Sequence, residues 1–338
     1  ESLTGDETRA TDLRGNGGKD TLAGGVGDDI FNGGLGTDIA DYSGATSDTT
    51  VILFNRNGIA QSTVSSGRDT LIDIESITGS DFNDKLIGDL NNNTIRAGDG
   101  NDNIDGGGGD DMLFGEDGND GFRPRGGNIE TFYGGVGTDL VNYSQSTGVN
   151  AFLDGSGTNG RSAVNDTFSS IENLIGSDIG DDLLYGDAGA NRLTGLGGND
   201  TLRGRAGIDQ LEGGDGNDIF IGDEGADVYV TGIVSDTIVF NLAPDAANRD
   251  RITDFTSGQD TLQIDASVFG GGLVAGGAVQ LVANTNPSAT GPGGTSLYDT
   301  DSGLLRFDAD GNGAGGAELF AWLQTIPTLL ATDFDVVA

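Results

Sequence analysis

The chain has no cysteine and no histidine, one methionine, one tryptophan and five prolines among its 338 residues. The missing cysteine removes structural disulfides and thiol chemistry. With histidine also missing, zinc sites built on thiolate or imidazole and every catalytic triad that uses imidazole are excluded. Positive charge is scarce as well: 16 basic residues stand against 54 acidic ones, a formal net charge of −38. Such a chain repels itself until something positive arrives, which argues against nucleic acid or a bare anionic membrane as partner and favours a multivalent cation. No apolar run approaches the ~18 residues that span a bilayer, so neither a transmembrane segment nor an amino-terminal signal peptide ahead of the first repeats is expected. The chain starts at Glu1 and not at Met, from which we expect a processed or trimmed piece of a longer protein.

Glycine, by contrast, is abundant, with 62 residues, and it falls in phase. Gly24 to Asp41 reads GGVGDDIFN followed by GGLGTDIAD, two nine-residue units with glycine at places 1, 2 and 4 and aspartate at place 6. Each unit is a glycine-permitted turn that presents oxygen atoms, followed by a short strand whose middle side chain is apolar. Across 17 units, place 6 falls on Asp20, Asp29, Asp38, Asp84, Asn93, Asp102, Asp111, Asp120, Glu130, Asp139, Asp182, Asn191, Asp200, Asp209, Asp218, Asp227 and Asp236. Every one carries a side-chain oxygen. Place 8 runs from Leu22, Phe31 and Ala40 to Phe220, Tyr229 and Ile238 with no charged residue. A flexible Gly/Ser/Asp linker has no reason to keep a polar and an apolar constraint in phase.

The frame divides the chain into a first repeat block, 1–41, a second, 79–142, and a third, 177–240, separated by segments 42–78 and 143–176. The frame slips by one residue near Pro124 and near Ile179, which predicts a widened turn at each. The two intervening segments resemble each other: Asp41-Tyr-Ser-Gly and Asn142-Tyr-Ser-Gln open them, Ile74-Glu-Ser-Ile and Ile171-Glu-Asn-Leu close them. A larger unit of roughly a hundred residues has thus been duplicated. Runs such as Val51 to Phe54 and Thr70 to Ile74 read as strands, so these segments are expected to be wider coils or hairpins inserted into the stack. Region 241–338 changes character, with strand candidates at Arg251 to Phe255, Thr261 to Ile264, Ser296 to Tyr298, Leu304 to Phe307 and Glu318 to Leu323. A stack of coils has an open end that needs a cover, and this region is the candidate.

The turn half of a unit offers backbone carbonyls and one carboxylate, hard oxygen ligands that suit calcium better than zinc or copper; magnesium demands a tighter octahedron. One unit supplies about half of the ~6–8 oxygens calcium takes, so a site must be shared between turns. With two units per coil, turns on one edge lie 18 residues apart, pairing Asp102 with Asp120, Asp200 with Asp218, and Asp209 with Asp227. The strand triplets then form two parallel sheets with place 8 inward, an all-β fold.

Over roughly residues 6–240 the sequence resembles the repeats-in-toxin (RTX) family, whose calcium-binding repeat is GGxGxDxUx with U a large apolar residue. The resemblance implies a parallel β-roll, or β-solenoid, of nonapeptide repeats in three blocks with a carboxy-terminal β-rich cap. It also implies several calcium ions in rows along both edges, held by the place 6 side chains and by carbonyls of places 1 to 4. The carbonyl donors implied are Gly24, Gly25, Gly27, Gly33, Gly34 and Gly36 in the first block. In the second they are Gly98, Gly100, Gly106, Gly107, Gly109, Gly115, Gly118, Gly134, Gly135 and Gly137, and in the third Gly195, Gly198, Gly204, Gly207, Gly213, Gly214, Gly216, Gly222 and Gly225. The departures at Asn93, Asn191 and Glu130, where the carboxylate is missing or longer, imply weak or empty sites. Segments Asp250 to Asp265 and Leu304 to Gly313 are similar to the cap of secreted RTX proteins, and Asp333 to Ala338 resembles an uncleaved export signal; an ordinary last strand is the other reading. Asp308, Asp310 and Asn312 imitate the first half of an EF-hand loop, but the twelfth place is Leu319 where a bidentate Glu is required, leaving a hairpin turn and an extra metal site both open.

Functionally, these features read as a secreted calcium-binding module, not an enzyme, that folds outside the cell. Its expected partners are calcium ions, a type I ABC exporter, and an extracellular polysaccharide or cell surface. Two alternatives stand beside it: the carboxy-terminal module of a larger secreted protease, lipase or alginate epimerase, and part of a surface-layer or adhesive protein.

Overall fold

The computed structural model describes the chain except for residues 7–8, 54–60, 64–66, 126–127, 164 and 314. Phe54, at the end of one expected strand, lies outside the described residues. Regular structure is almost wholly β; among the described residues the one α-helix is Ala266–Phe269. No helix among them is long and apolar enough to cross a membrane. The chain forms two compact units, Glu1–Gln145 with Thr158–Asn173, and Ser146–Gly157 with Leu174–Ala338.

In the first unit, Ser2–Thr4, Thr21–Ala23, Ile39–Asp41, Ser76–Thr78, Thr94–Asp99, Met112–Asp117, Thr131–Val136 and Thr167–Ser169 pair in parallel in that order. A second parallel sheet runs through Thr50–Ile52, Lys85–Ile87, Asn103–Asp105, Gly121–Phe122 and Leu140–Asn142. A third joins Asp12–Arg14, Ile30–Asn32 and Gly67–Ile72, the last of these also pairing antiparallel with Gln61–Thr63.

The second unit repeats the plan. Val149–Phe152, Leu183–Tyr185, Thr201–Ala206, Ile219–Glu224, Thr237–Phe240, Thr261–Asp265 and Phe334–Val337 form one parallel ladder. Arg192–Gly197, Gln210–Asp215, Val228–Ile233, Asp250–Ile252 and Glu318–Leu323 form the other. Beyond Glu318–Leu323 the direction alternates, through antiparallel Leu304–Asp308 and Thr295–Asp299. The loop carrying Asp310 and Asn312 therefore joins two antiparallel strands, and the chain's last strand lies parallel to Thr261–Asp265.

Register follows the 18-residue coil: Ile95 pairs with Leu113 and Leu202 with Phe220. All seventeen place 8 side chains are buried, none more than 1% exposed. Period 2 within a triplet sends only the middle residue inward, and the two sheets of a unit meet through those residues. Phe122 packs edge-on to Phe132 at 5.5 Å and Phe220 edge-on to Tyr229 at 5.9 Å. Each such side chain contributes roughly 1.5–3 kcal/mol by burial.

Two features differ from a strand of three residues and a turn of six. In tandem stretches the strand spans six residues, as in Thr94–Asp99 and Gln210–Asp215. Equivalent turns stack so closely that their backbone also pairs: the N–H of Gly118 donates to the carbonyl of Val136 at 2.8 Å, that of Gly207 to Glu224 at 2.9 Å. The frame slips are absorbed inside turns. Asp120 meets Asp139 across 19 residues instead of 18, and Ser177 reaches Asp182 over five residues where Ser80 reaches Asp84 over four.

Candidate metal centre

The turns are set by backbone conformation at places 2 and 4. Place 4 glycines take positive φ, for example 149° at Gly118 and 136° at Gly216, and a Cβ on either would overlap the place 4 carbonyl oxygen one coil earlier, Gly100 or Gly198. At place 2, Asn16, Gly25, Gly34, Gly98, Gly107, Glu116, Gly135, Leu196, Arg205, Gly214, Asp223 and Gly232 are left-handed. Five of these are not glycine, a conformation that costs about 1–2 kcal/mol per residue.

Place 6 then builds a ladder. Within the tandem stretches the backbone N–H of a place 6 residue donates to one side-chain oxygen of the place 6 residue a coil later: Asp102 to Asp120, Asp200 to Asp218 and Asp218 to Asp236, each at 2.8 Å, and Asp209 to Asp227 at 2.9 Å. The pairs expected 18 residues apart are the pairs observed. A second ladder, unforeseen from the sequence, runs the other way at place 5: the N–H of Asn119 donates to Asn101, and that of Asn217 to Asn199. The preference for Asn or Asp just before the place 6 acid was its sequence signal.

One carboxylate oxygen is left over. Oδ2 of Asp20, Asp29, Asp38, Asp102, Asp111, Asp120, Asp139, Asp200, Asp209, Asp218, Asp227 and Asp236, and Oε2 of Glu130, are buried with no hydrogen-bond partner among the described residues. Burying an unpaired ionised oxygen costs several kcal/mol, so native proteins pair such groups or give them to a metal. The orphan oxygen of Asp120 lies against the Cα of Gly115, where any Cβ would collide with it, which explains glycine at place 1. Burial, partly offset by the ladder N–H and reinforced by neighbouring carboxylates, pushes Asp102 up to about 8 and Asp200 to about 7.

Among the described residues four turns are arranged otherwise. The place 2 N–H turns onto the place 6 oxygen of its own turn: Ser80 to Asp84 at 2.5 Å, Asp89 to Asn93 at 2.7 Å, Ser177 to Asp182 at 2.6 Å and Asp187 to Asn191 at 2.8 Å. The Ser80 and Ser177 hydroxyls add further bonds to the same carboxylates.

The ladders also continue through segments without the glycine pattern. The N–H of Asp29 donates to Asp69, Asp38 to Glu75, Glu130 to Asp166, Asp139 to Glu172, Asp227 to Asp250 and Asp236 to Asp260. These six acids were missed from the sequence because their turns lack the full glycine pattern, Asp69 and Asp260 keeping one glycine each, Gly67 and Gly258, and the other four none; yet each precedes an apolar residue by two positions, as in Asp69-Thr-Leu71 and Glu172-Asn-Leu174. At three of them a buried tyrosine hydroxyl donates to the second oxygen: Tyr42 to Asp69 at 3.0 Å, Tyr143 to Asp166 at 2.7 Å and Tyr229 to Asp250 at 3.0 Å. Burial and the facing carboxylate raise all three phenols well above their usual range. Replacing Tyr143 with Phe should therefore destabilise the chain by about 1–3 kcal/mol, the cost of an unsatisfied buried acceptor, read as a lower midpoint in urea at constant calcium. An unchanged midpoint would show that Asp166 needs no partner.

Do these residues fit calcium? The donors are hard oxygens, the orphan carboxylate oxygens are dry, and consecutive turns stack one coil apart, so each turn needs to supply only part of a coordination shell. Among the described residues no three acidic side chains gather at one point. An ion between turns would thus draw most of its oxygens from the backbone, as glycine-rich turns allow. The fit is good.

The RTX calcium-binding nonapeptide repeat matches the chain in four copies, at residues 9–40, 87–122, 177–211 and 203–238. Among solved structures, the R3 subunit AlgE6R3 of the Azotobacter vinelandii mannuronan C5-epimerase is 30% identical, with 46% of this chain and 77% of that chain covered and a TM-score of 0.18. The extracellular lipase LipA from Serratia marcescens is 15% identical, with 80% of this chain and 44% of that chain covered and a TM-score of 0.26. No curated protein matches the chain. Four matched copies, on strands stacked in the 18-residue register the repeat requires, make this chain a member of the RTX calcium-binding repeat family.

Proposed function

We propose that the chain is a secreted calcium-binding module that folds on calcium outside the cell, supporting export by a type I ABC exporter and then serving as an extracellular scaffold or binding element. The orphan buried oxygens carry this reading. Among the described residues thirteen place 6 acids present a dry oxygen without a partner, in a chain of net charge −38, and calcium supplies what both lack. The place 6 residues, with carbonyls of places 1 to 4, are the proposed ligands. The proposed partition is three calcium-loaded blocks, two inserts and a terminal cap over 241–338 that ends in the export signal. We assign no catalytic role to the repeats, whose buried acids are engaged in the ladders.

The energetics favour a switch. With a dissociation constant in the ~10⁻⁴ to 10⁻³ M range of extracellular modules, calcium at about ten times that constant adds roughly 1.4 kcal/mol per site. A dozen such sites add on the order of 17 kcal/mol, more than the ~5–15 kcal/mol stability of an ordinary domain. At cytosolic calcium the sum is near zero and carboxylate repulsion dominates. An exporter that threads unfolded chain would receive an unfolded chain, and folding outside would oppose its return. Circular dichroism during a calcium titration at neutral pH should pass from an unfolded to a β-rich spectrum. A β-rich spectrum that persists in excess chelator at pH 8 sinks the reading.

A further inference from the structure

We propose that place 2, and not the place 6 acid, decides which turns of this chain take calcium. Turns whose second residue is left-handed are ion stations, and the four turns ending at Asp84, Asn93, Asp182 and Asn191 are closed and take none. The proposal rests on the calcium-module reading above.

Two sets of geometry, joined by the place 2 N–H, coincide. Twelve place 2 residues are left-handed, and the twelve aspartates with an orphan Oδ2 are those of the same twelve turns, from Asn16 with Asp20 to Gly232 with Asp236. In the four closed turns place 2 is Ser80, Asp89, Ser177 or Asp187, none of them left-handed, and its N–H occupies the place 6 oxygen. An N–H aimed at that oxygen puts a partial positive charge where a cation would sit, so hydrogen bond and ion exclude one another.

The identity of the acid does not sort the turns. Asp84 and Asp182 carry the consensus carboxylate and are closed, as are the turns of Asn93 and Asn191, while the turn of Glu130 includes residues outside those described and stands apart from the comparison. Nor does glycine at place 2, because Asn16, Glu116, Leu196, Arg205 and Asp223 are held left-handed against their preference. The closed turns stand in adjacent pairs at the start of the second and third blocks, the same place in each copy of the duplicated unit. The repeat block of each copy therefore begins with two turns that close without metal.

The test is a count of calcium bound to the full chain, by equilibrium dialysis with atomic absorption at saturating calcium, with circular dichroism confirming the fold. Asp84→Asn and Asp182→Asn keep the acceptor oxygen that the N–H needs and should bind as many ions as the parent. Asp111→Asn and Asp209→Asn, in open turns, should each lose at least one. Because the open-turn variants could fail to fold, Asn93→Asp and Asn191→Asp provide a second arm: restoring the consensus acid in a closed turn should add no ion. An ion lost in Asp84→Asn or Asp182→Asn, an ion gained in Asn93→Asp or Asn191→Asp, or equal stoichiometry across all four Asp→Asn variants overturns the proposal. A parent that binds no calcium overturns the module reading instead.

Discussion

In excess chelator the protein should gain structure as pH falls from 8 to 5, the reverse of ordinary acid unfolding. The cause is the buried place 6 row without its cation. Burial is the largest influence on each of these acids and lifts Asp102 and Glu130 to about 8, Asp111, Asp209 and Asp236 to about 7, and Asp120, Asp139, Asp218 and Asp227 to about 6. In the unfolded chain the same groups titrate near ~4. Between about pH 4 and pH 6–8 the folded, metal-free state thus binds more protons than the unfolded one, and its stability falls as pH rises through that window. Each ionising group contributes up to ~1.4 kcal/mol for every tenfold difference in proton affinity between folded and unfolded chain, so a handful of them exceeds the ~5–15 kcal/mol of a typical domain. Far-ultraviolet circular dichroism in chelator across this range measures the effect. With calcium bound the slope should reverse, because protons then compete with the ion for the same oxygens. A chelated protein that loses β-structure steadily on acidification would contradict the assignment of these acids to a dry, cation-seeking position.

Gly118→Ala should be among the most damaging single substitutions in the chain, although it adds one methyl group. Its Cβ would overlap the Gly100 carbonyl oxygen, and φ at 149° is a conformation that alanine resists. Backbone strain of about 1–3 kcal/mol and a packing clash of about 1–3 kcal/mol act together, since neither is relieved without separating two coils. Separating them also breaks the pairing of Gly118 with Val136 and spreads the oxygens proposed to share an ion. Gly44 is the control: a Cβ there meets nothing within 4 Å, and its alanine variant should stay within ~0.5 kcal/mol of the parent. Urea unfolding in saturating calcium compares the two, and equal midpoints would mean that the coils are not stacked as closely as described.

The nine-residue period, the inward place 8 side chains and the row of acids were legible because each depends on residues within a single unit. A strand triplet buries its middle side chain whatever lies in the next coil, and a glycine turn is permitted or forbidden by its own φ. The 18-residue coil followed by counting, and the ladder from Asp102 to Asp120 sits where that count put it. The inserts were less legible. Asp166 and Asp250 join the ladders with no glycine in the turn before them, Asp69 and Asp260 with one, and the register of neighbouring strands brings them there.

Sequence by itself determined the all-β repeat, the calcium-directed chemistry and the identity of most place 6 acids, because spacing and residue type express those constraints directly. Tertiary structure alone decided which oxygens are satisfied. The partner of a ladder carboxylate is a backbone N–H one coil away, a tyrosine hydroxyl across the core, or the N–H of its own turn, as in Asp102, Asp166 and Asp84. Those outcomes depend on the stacking of segments 18 or more residues apart and on the handedness of one backbone position, which Ser80 and Leu196 reveal only once the coils are assembled.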